Sequence, residues 1–123
     1  MERAVKRHFF LHADRTRKAG DKIEHYTHYD QRNHIIEAIG YDRWERAGQA
    51  EEFGDIPPPA CFADLFGVFI DIYYSCPDGV GYQDIAAYIS ASQNPLSVYE
   101  VSLIRKMSSW AASEVSKAWR ESR

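Results

Sequence analysis

The stretch from Cys61 to Cys76, CFADLFGVFIDIYYSC, constrains this chain more than any other. Set on a helix, Phe62, Leu65, Phe66, Phe69, Ile70 and Tyr73 form one broad apolar face, which Val68 and Ile72 widen. Only Asp64, Gly67 and Asp71 remain as a polar seam. A helix that is apolar nearly all round needs neighbours on most sides, whereas a surface helix keeps a wide polar face. The expectation is an all-α fold, a compact bundle of about five helices around a buried central helix at about 60–75.

The flanks support that reading. Residues 48–59, GQAEEFGDIPPP, hold two glycines and a triple proline, which cannot continue a helix and favour an extended path. A stiff connector over 51–59 is the plain interpretation, preferred to a ligand for a proline-binding groove. After the central helix, CPDGVGY carries Pro77, Gly79 and Gly81 and reads as a loop. A short helix follows from about Tyr82 to Ser92, with Ile85, Tyr88 and Ile89 inward, and Gln93-Asn94-Pro95 stops it. Ser97-Val-Tyr-Glu100 is a capping box, in which serine and glutamate each satisfy the other's early amide. From it Leu103, Ile104, Met107, Trp110, Ala111, Val115 and Ala118 recur at helical spacing, predicting a helix of about 22–25 residues lying along the central one.

Upstream the pattern is weaker. Residues 2–19 predict a helix with a modest apolar edge, ended by Gly20-Asp21. A second helix is expected from about Tyr26 to Ala47, with Gly40 allowing a break into two. No segment shows sustained period-two alternation, so no sheet is expected. At 123 residues the chain suits a single domain over 1–123, with a helical core at 60–121 and a peripheral or mobile part at 1–50.

Charge is unevenly spread. Residues 1–22 carry seven basic residues, among them Arg15, Arg17 and Lys18, against three acidic ones. That segment is +4 and the remainder −7 in a chain of formal net charge −3. Arg15, Arg17 and Lys18 are a candidate basic patch for phosphate or an acidic surface, although a solvated helix face is the preferred explanation. The whole chain gives no electrostatic case for nucleic acid. MERAVKRHFFLHADR has no apolar run long enough for a secretory leader, and no run approaches the ~20 apolar residues of a membrane span. Cys61 and Cys76, roughly 22 Å apart on one helix, are too far apart for a disulfide. Two free thiols suit a cytoplasm.

No catalytic constellation is visible. There is no GxSxG elbow and no reactive-cysteine signature, and GVGYQD lacks the lysine and strand of a phosphate loop. All five histidines fall in the first 34 residues, His8 and His12 four apart, and Asp30, His34 and Glu37 would share a helix face. A metal site needs ligands converging from more than one segment. No second source is evident, so solvent-facing histidines are expected, with no metal and no cofactor. Three tryptophans and eight tyrosines are many for a core this small. Trp44, Tyr99, Trp110 and Trp119 are therefore the candidate protein-interaction residues.

The C-terminal half resembles a known family. LFGVFIDIYYS, a glycine-bearing loop, Ile85-Ala-Ala-Tyr88 and then LSVYEVSLIRKMSSWA from Leu96 are similar to the tail assembly chaperones of tailed-phage morphogenesis clusters. Leu96, Glu100, Ile104 and Met107 match the family's spacing, while Ser108 stands where an aspartate is frequent. The resemblance covers about residues 60–118. It implies a non-enzymatic helical protein of the bacterial host cytoplasm that binds the tape-measure protein or other tail proteins during tail assembly and tends to self-associate. The alternative from the residues alone is a small nucleic-acid-binding or regulatory protein using the basic N-terminal segment.

Overall fold

A computed structural model describes residues 1–76 and 79–121. The protein is predominantly helical, with 71% of the described residues in helices. The element order is α1 (Glu2–His12), β1 (Arg15–Ala19), β2 (Lys22–Tyr26), α2 (His28–Ile39), α3 (Tyr41–Arg46), α4 (Ala50–Phe53), a 3-10 turn (Ala60–Phe62), α5 (Ala63–Ser75), α6 (Tyr82–Ser92) and α7 (Val98–Glu121). The chain divides into two compact units, one of Met1–Val5 with Pro57–Ala112 and one of Lys6–Ile56 with Ser113–Arg123.

In the first unit, Leu65, Phe69 and Ile72 of α5, Ile85 of α6 and Ile104, Met107 and Ala111 of α7 are buried, as is Val80 in the loop before α6. α5 starts through the 3-10 turn after Pro59, whose φ of −52° and ψ of 141° match an extended proline path. Its burial runs along one stripe rather than all round, since Phe66, Val68 and Ile70 keep part of their surface and Tyr74 is exposed. α6 occupies the expected residues. The Gly81 amide donates to Asp84 Oδ2 at 2.8 Å, and Gln93 ends the helix in the left-handed region at φ 55°. α7 opens on the predicted box: Ser97 N–H donates to Glu100 Oε1 at 2.9 Å, and Glu100 N–H to Ser97 Oγ at 3.1 Å. Pro77 of the preceding loop lies outside the described residues.

The second unit departs most from expectation. Where one helix was expected over 2–19 and no sheet, α1 stops at His12 and β1 and β2 form an antiparallel hairpin, Arg15 facing Tyr26 and Ala19 facing Lys22. Gly20-Asp21, read from sequence as a helix stop, is a two-residue hairpin turn, with Gly20 at φ 67°. Glycine at the first turn position supplies the positive φ that matches strand twist. The strands gave no alternation because nearly all of their residues are exposed; the hairpin has no buried face to write a period into the sequence. α1 is also more deeply set than its composition suggests, with Ala4, Val5, Phe9 and Leu11 all buried.

The expected second helix breaks at Gly40, whose φ of 89° and ψ of 151° lie outside helical space. α2 is capped by Thr27, which accepts from the Asp30 amide at 3.1 Å, and contacts both α3 and α4. Within the connector, Ala50–Phe53 still manages one turn of helix. Its C-terminal carbonyls are held from outside: Arg7 donates to Gly54 O at 2.7 Å and Glu51 O at 3.0 Å, and Arg32 donates to Phe53 O at 3.1 Å. A cation at a helix C-terminus satisfies carbonyls that the helix leaves unpaired.

Candidate functional site

The α2–α3–α4 corner of the second unit encloses a cleft of ≈ 400 Å³, lined by Arg32, Ile36, Tyr41, Trp44, Ala50, Gly54 and Asp55. Its lining follows from local structure. The break at Gly40 turns the chain so that α3 brings Tyr41 and Trp44 beside α2, their rings 5.6 Å apart. Arg32 Nη1 pairs with Asp55 Oδ1 at 3.0 Å, and its guanidinium lies 4.9 Å over the Tyr29 ring. Ile35 and Ile39 on α2 and Tyr41 on α3 are exposed. The Glu45 carboxylate, which the Tyr41 hydroxyl reaches, holds that phenol above its ordinary range. An aromatic and aliphatic cleft with one ion pair in its wall is suited to seating an apolar side chain of another protein; it holds no nucleophile–base pair.

Trp44 itself is 2% exposed. It was expected at a protein-binding surface; the structure places it in the interior as cleft lining, beside α2. The other aromatic candidates lie on α7. Tyr99 is 67% exposed, Trp110 is half-buried and Trp119 is 59% exposed. Trp119 lines a shallow groove of ≈ 570 Å³ with Val115, Ser116 and Arg120.

The basic patch does not survive as expected. Arg15 is 2% exposed, donating to Phe10 O at 2.8 Å and Ala13 O at 3.3 Å, with its guanidinium 5.3 Å over the Phe10 ring. Its Nε has no hydrogen bond but lies 3.7 Å from Glu121 Oε2, an ion-pair distance. Capping the end of α1 draws this cation inward. Arg17 remains on the hairpin surface, paired to Glu24 at 3.0 Å and stacked 5.2 Å over Tyr26, and Lys18 is exposed beside it.

The histidines were expected to face solvent, and three of them do not. The rings of His8 and His12 lie 4.5 Å apart, His12 lies 4.4 Å from Tyr29, and His28 sits 4.7 Å from Phe10 and 5.4 Å from Phe53. Burial and then the His12 ring push His8 down to about 4. Burial and then Arg32 lower His12, and burial and then Arg15 lower His28. These are neutral packing rings. His25 pairs with Asp14 at 3.0 Å, and His34 is exposed with Asp30 and Glu37. Among the described residues no group of three or more His, Cys, Asp or Glu side chains is placed to hold a metal ion. Cys61 and Cys76 are both free; desolvation and the Asp84 carboxylate push the Cys76 thiol up. No described helix is long and apolar enough to cross a membrane.

No protein-family model, curated protein or solved structure matches the chain.

The cleft was not legible in the sequence because its walls come from three helices and from Arg32, which reads as surface charge. The one legible signal was Gly40, placed between two apolar clusters.

Proposed function

We propose that this protein is a non-enzymatic tail assembly chaperone of a tailed phage, holding an apolar segment of the tape-measure protein in the host cytoplasm while the tail is built. The observation that carries the reading is the α2–α3–α4 cleft with Ile35, Ile39 and Tyr41 exposed on the same two helices. Exposed apolar patches beside a pocket mark protein-binding surfaces. The resemblance over residues 60–118 supplies the biological setting. Within it Glu100 caps α7 and Ile104 and Met107 are buried, so the matching residues do structural work and leave partner choice to other surfaces.

The test is co-expression with overlapping tape-measure fragments from the same genome, followed by co-purification. Parent protein is expected to retain at least one fragment, and Ile39→Asp with Tyr41→Ser is expected to weaken retention about tenfold or more, as loss of an interface anchor does. Fragments that are never retained, or are retained equally by the double variant, overturn the cleft as the binding site. The nucleic-acid alternative draws on Arg17 and Lys18, exposed on the hairpin. It requires DNA or RNA affinity that falls steeply with salt, and it loses its basis where fluorescence anisotropy finds none.

A further inference from the structure

The hairpin β1–β2 stands in the second unit with the outer edge of β2 exposed. No other strand exists among the described residues, and Lys22, Ile23, Glu24 and His25 of β2 are all exposed, Ile23 at 66%. An open edge with an exposed apolar residue templates pairing with another chain unless something blocks it. The two edges differ in that respect.

A two-residue turn closes on a hydrogen-bonded pair, here Ala19 with Lys22, and bonded and non-bonded pairs alternate from there. Arg17–Glu24 is then a bonded pair and Lys18–Ile23 a non-bonded one. The N–H and C=O of Ile23 therefore point away from β1, toward the open side of β2. On the β1 side the corresponding edge carries Arg17 and Lys18 in succession, so any two-fold pairing of β1 with itself brings cations together.

From the last turn residue into β2 the chain reads Asp21-Lys22-Ile23-Glu24-His25, and this order is self-complementary. A two-fold axis through Lys22 would oppose lysine to lysine, and one through Glu24 would oppose glutamate to glutamate. An axis through Ile23 opposes Lys22 to the partner's Glu24 twice over and sets Ile23 against its own copy. It also brings Asp21 opposite the imidazole of the partner's His25. Of these three registers only this one sets Lys22 against Glu24, whose carboxylate already pairs with Arg17 of its own hairpin, and it uses the outward backbone groups of Ile23 as a bonded pair.

We propose that β2 is a self-association edge, on which two copies of the chain pair antiparallel about Ile23 to make a four-stranded sheet. The interface is isologous and closes on itself. The outer edges of the resulting sheet are the two β1 strands, guarded by Arg17 and Lys18. Opposite-charge pairs across strands are favourable and like charges directly opposite are not, which sets the register. This inference is independent of what the cleft binds.

Sedimentation equilibrium of the whole chain tests it. The parent is expected to show a concentration-dependent monomer–dimer equilibrium. Lys22→Glu faces glutamate with glutamate and Glu24→Lys faces lysine with lysine, so each alone is expected to weaken association by roughly tenfold or more. An equimolar mixture of the two restores both opposite-charge pairs and is expected to recover a heterodimer. Ile23→Pro removes one outward N–H without touching the β1 ladder and is expected to abolish pairing. A parent that stays monomeric at its solubility limit overturns the proposal. So do charge variants that associate as the parent does, or a mixture that associates no better than either variant alone.

Discussion

Ser108 Oγ accepts a hydrogen bond from the Val80 amide at 3.0 Å, joining α7 to the loop before α6 across 28 residues of chain. Both residues are buried. Replacing Ser108 with alanine leaves a buried N–H without a partner, which costs about 1–3 kcal/mol. Urea denaturation followed by circular dichroism is expected to show that loss, and Ser109→Ala on the exposed side of the same turn is expected to show almost none.

Arg32 and Asp55 make an unequal pair. The arginine is buried at the cleft wall, where it also donates to Phe53 O and stacks on Tyr29, while Asp55 is mostly exposed. Arg32→Ala removes every one of those contacts and is expected to destabilise by roughly 2–3 kcal/mol. Asp55→Ala is expected to cost about 1 kcal/mol, since water can reach the guanidinium where the carboxylate stood. Tryptophan fluorescence during urea titration reads the difference; equal losses would show that the ion pair itself carries the stability.

Gly40 separates two reasons for keeping a glycine. A Cβ built there would meet nothing within 4 Å, so there is no steric need for it. Its φ of 89° with ψ of 151° is nonetheless a conformation that side chains rarely adopt. Gly40→Ala is therefore expected to cost on the order of 1–3 kcal/mol through backbone strain alone. Because the turn aims Tyr41 and Trp44, the same variant is expected to lose partner binding along with stability. Unchanged stability in thermal denaturation would refute the strain account.

The half-buried histidines make stability depend on pH in one direction. His8, His12 and His28 are held neutral in the folded protein and titrate near 6.5 when unfolded. As pH falls, the unfolded chain takes up these protons first. The stability they contribute is fully present above pH ~6.5 and is lost progressively toward the folded value of His8, about 4. Denaturation midpoints are expected to drop between pH 7 and pH 5, and His8→Gln is expected to flatten that slope. A midpoint that holds or rises on acidification would contradict the packing seen around these rings.

Local chemistry was well legible in the second half of the chain. The Ser97–Glu100 box, the stop at Gln93 and the apolar spacing of α7 each depend on residues within a few positions of one another, so sequence order already contains them. The hairpin was not legible, because exposed strands carry no burial period and Gly20-Asp21 terminates a helix as readily as it turns a strand. Trp44 and Arg15 were placed by type, an aromatic for contact and a cation for the surface, and both are buried.

By itself, then, the sequence determined the helical character of the protein, the span of α5, α6 and α7 and the absence of any local catalytic motif. These follow from periodicity and capping, which act over one or two turns. Only the tertiary structure decided where Arg7 and Arg32 go, which rings shield the histidines and that a cleft opens between α2, α3 and α4. Those outcomes rest on partners tens of residues distant, such as Gly54 for Arg7 and Asp55 for Arg32, and a long cation reads the same in sequence whether its end meets water or a carbonyl.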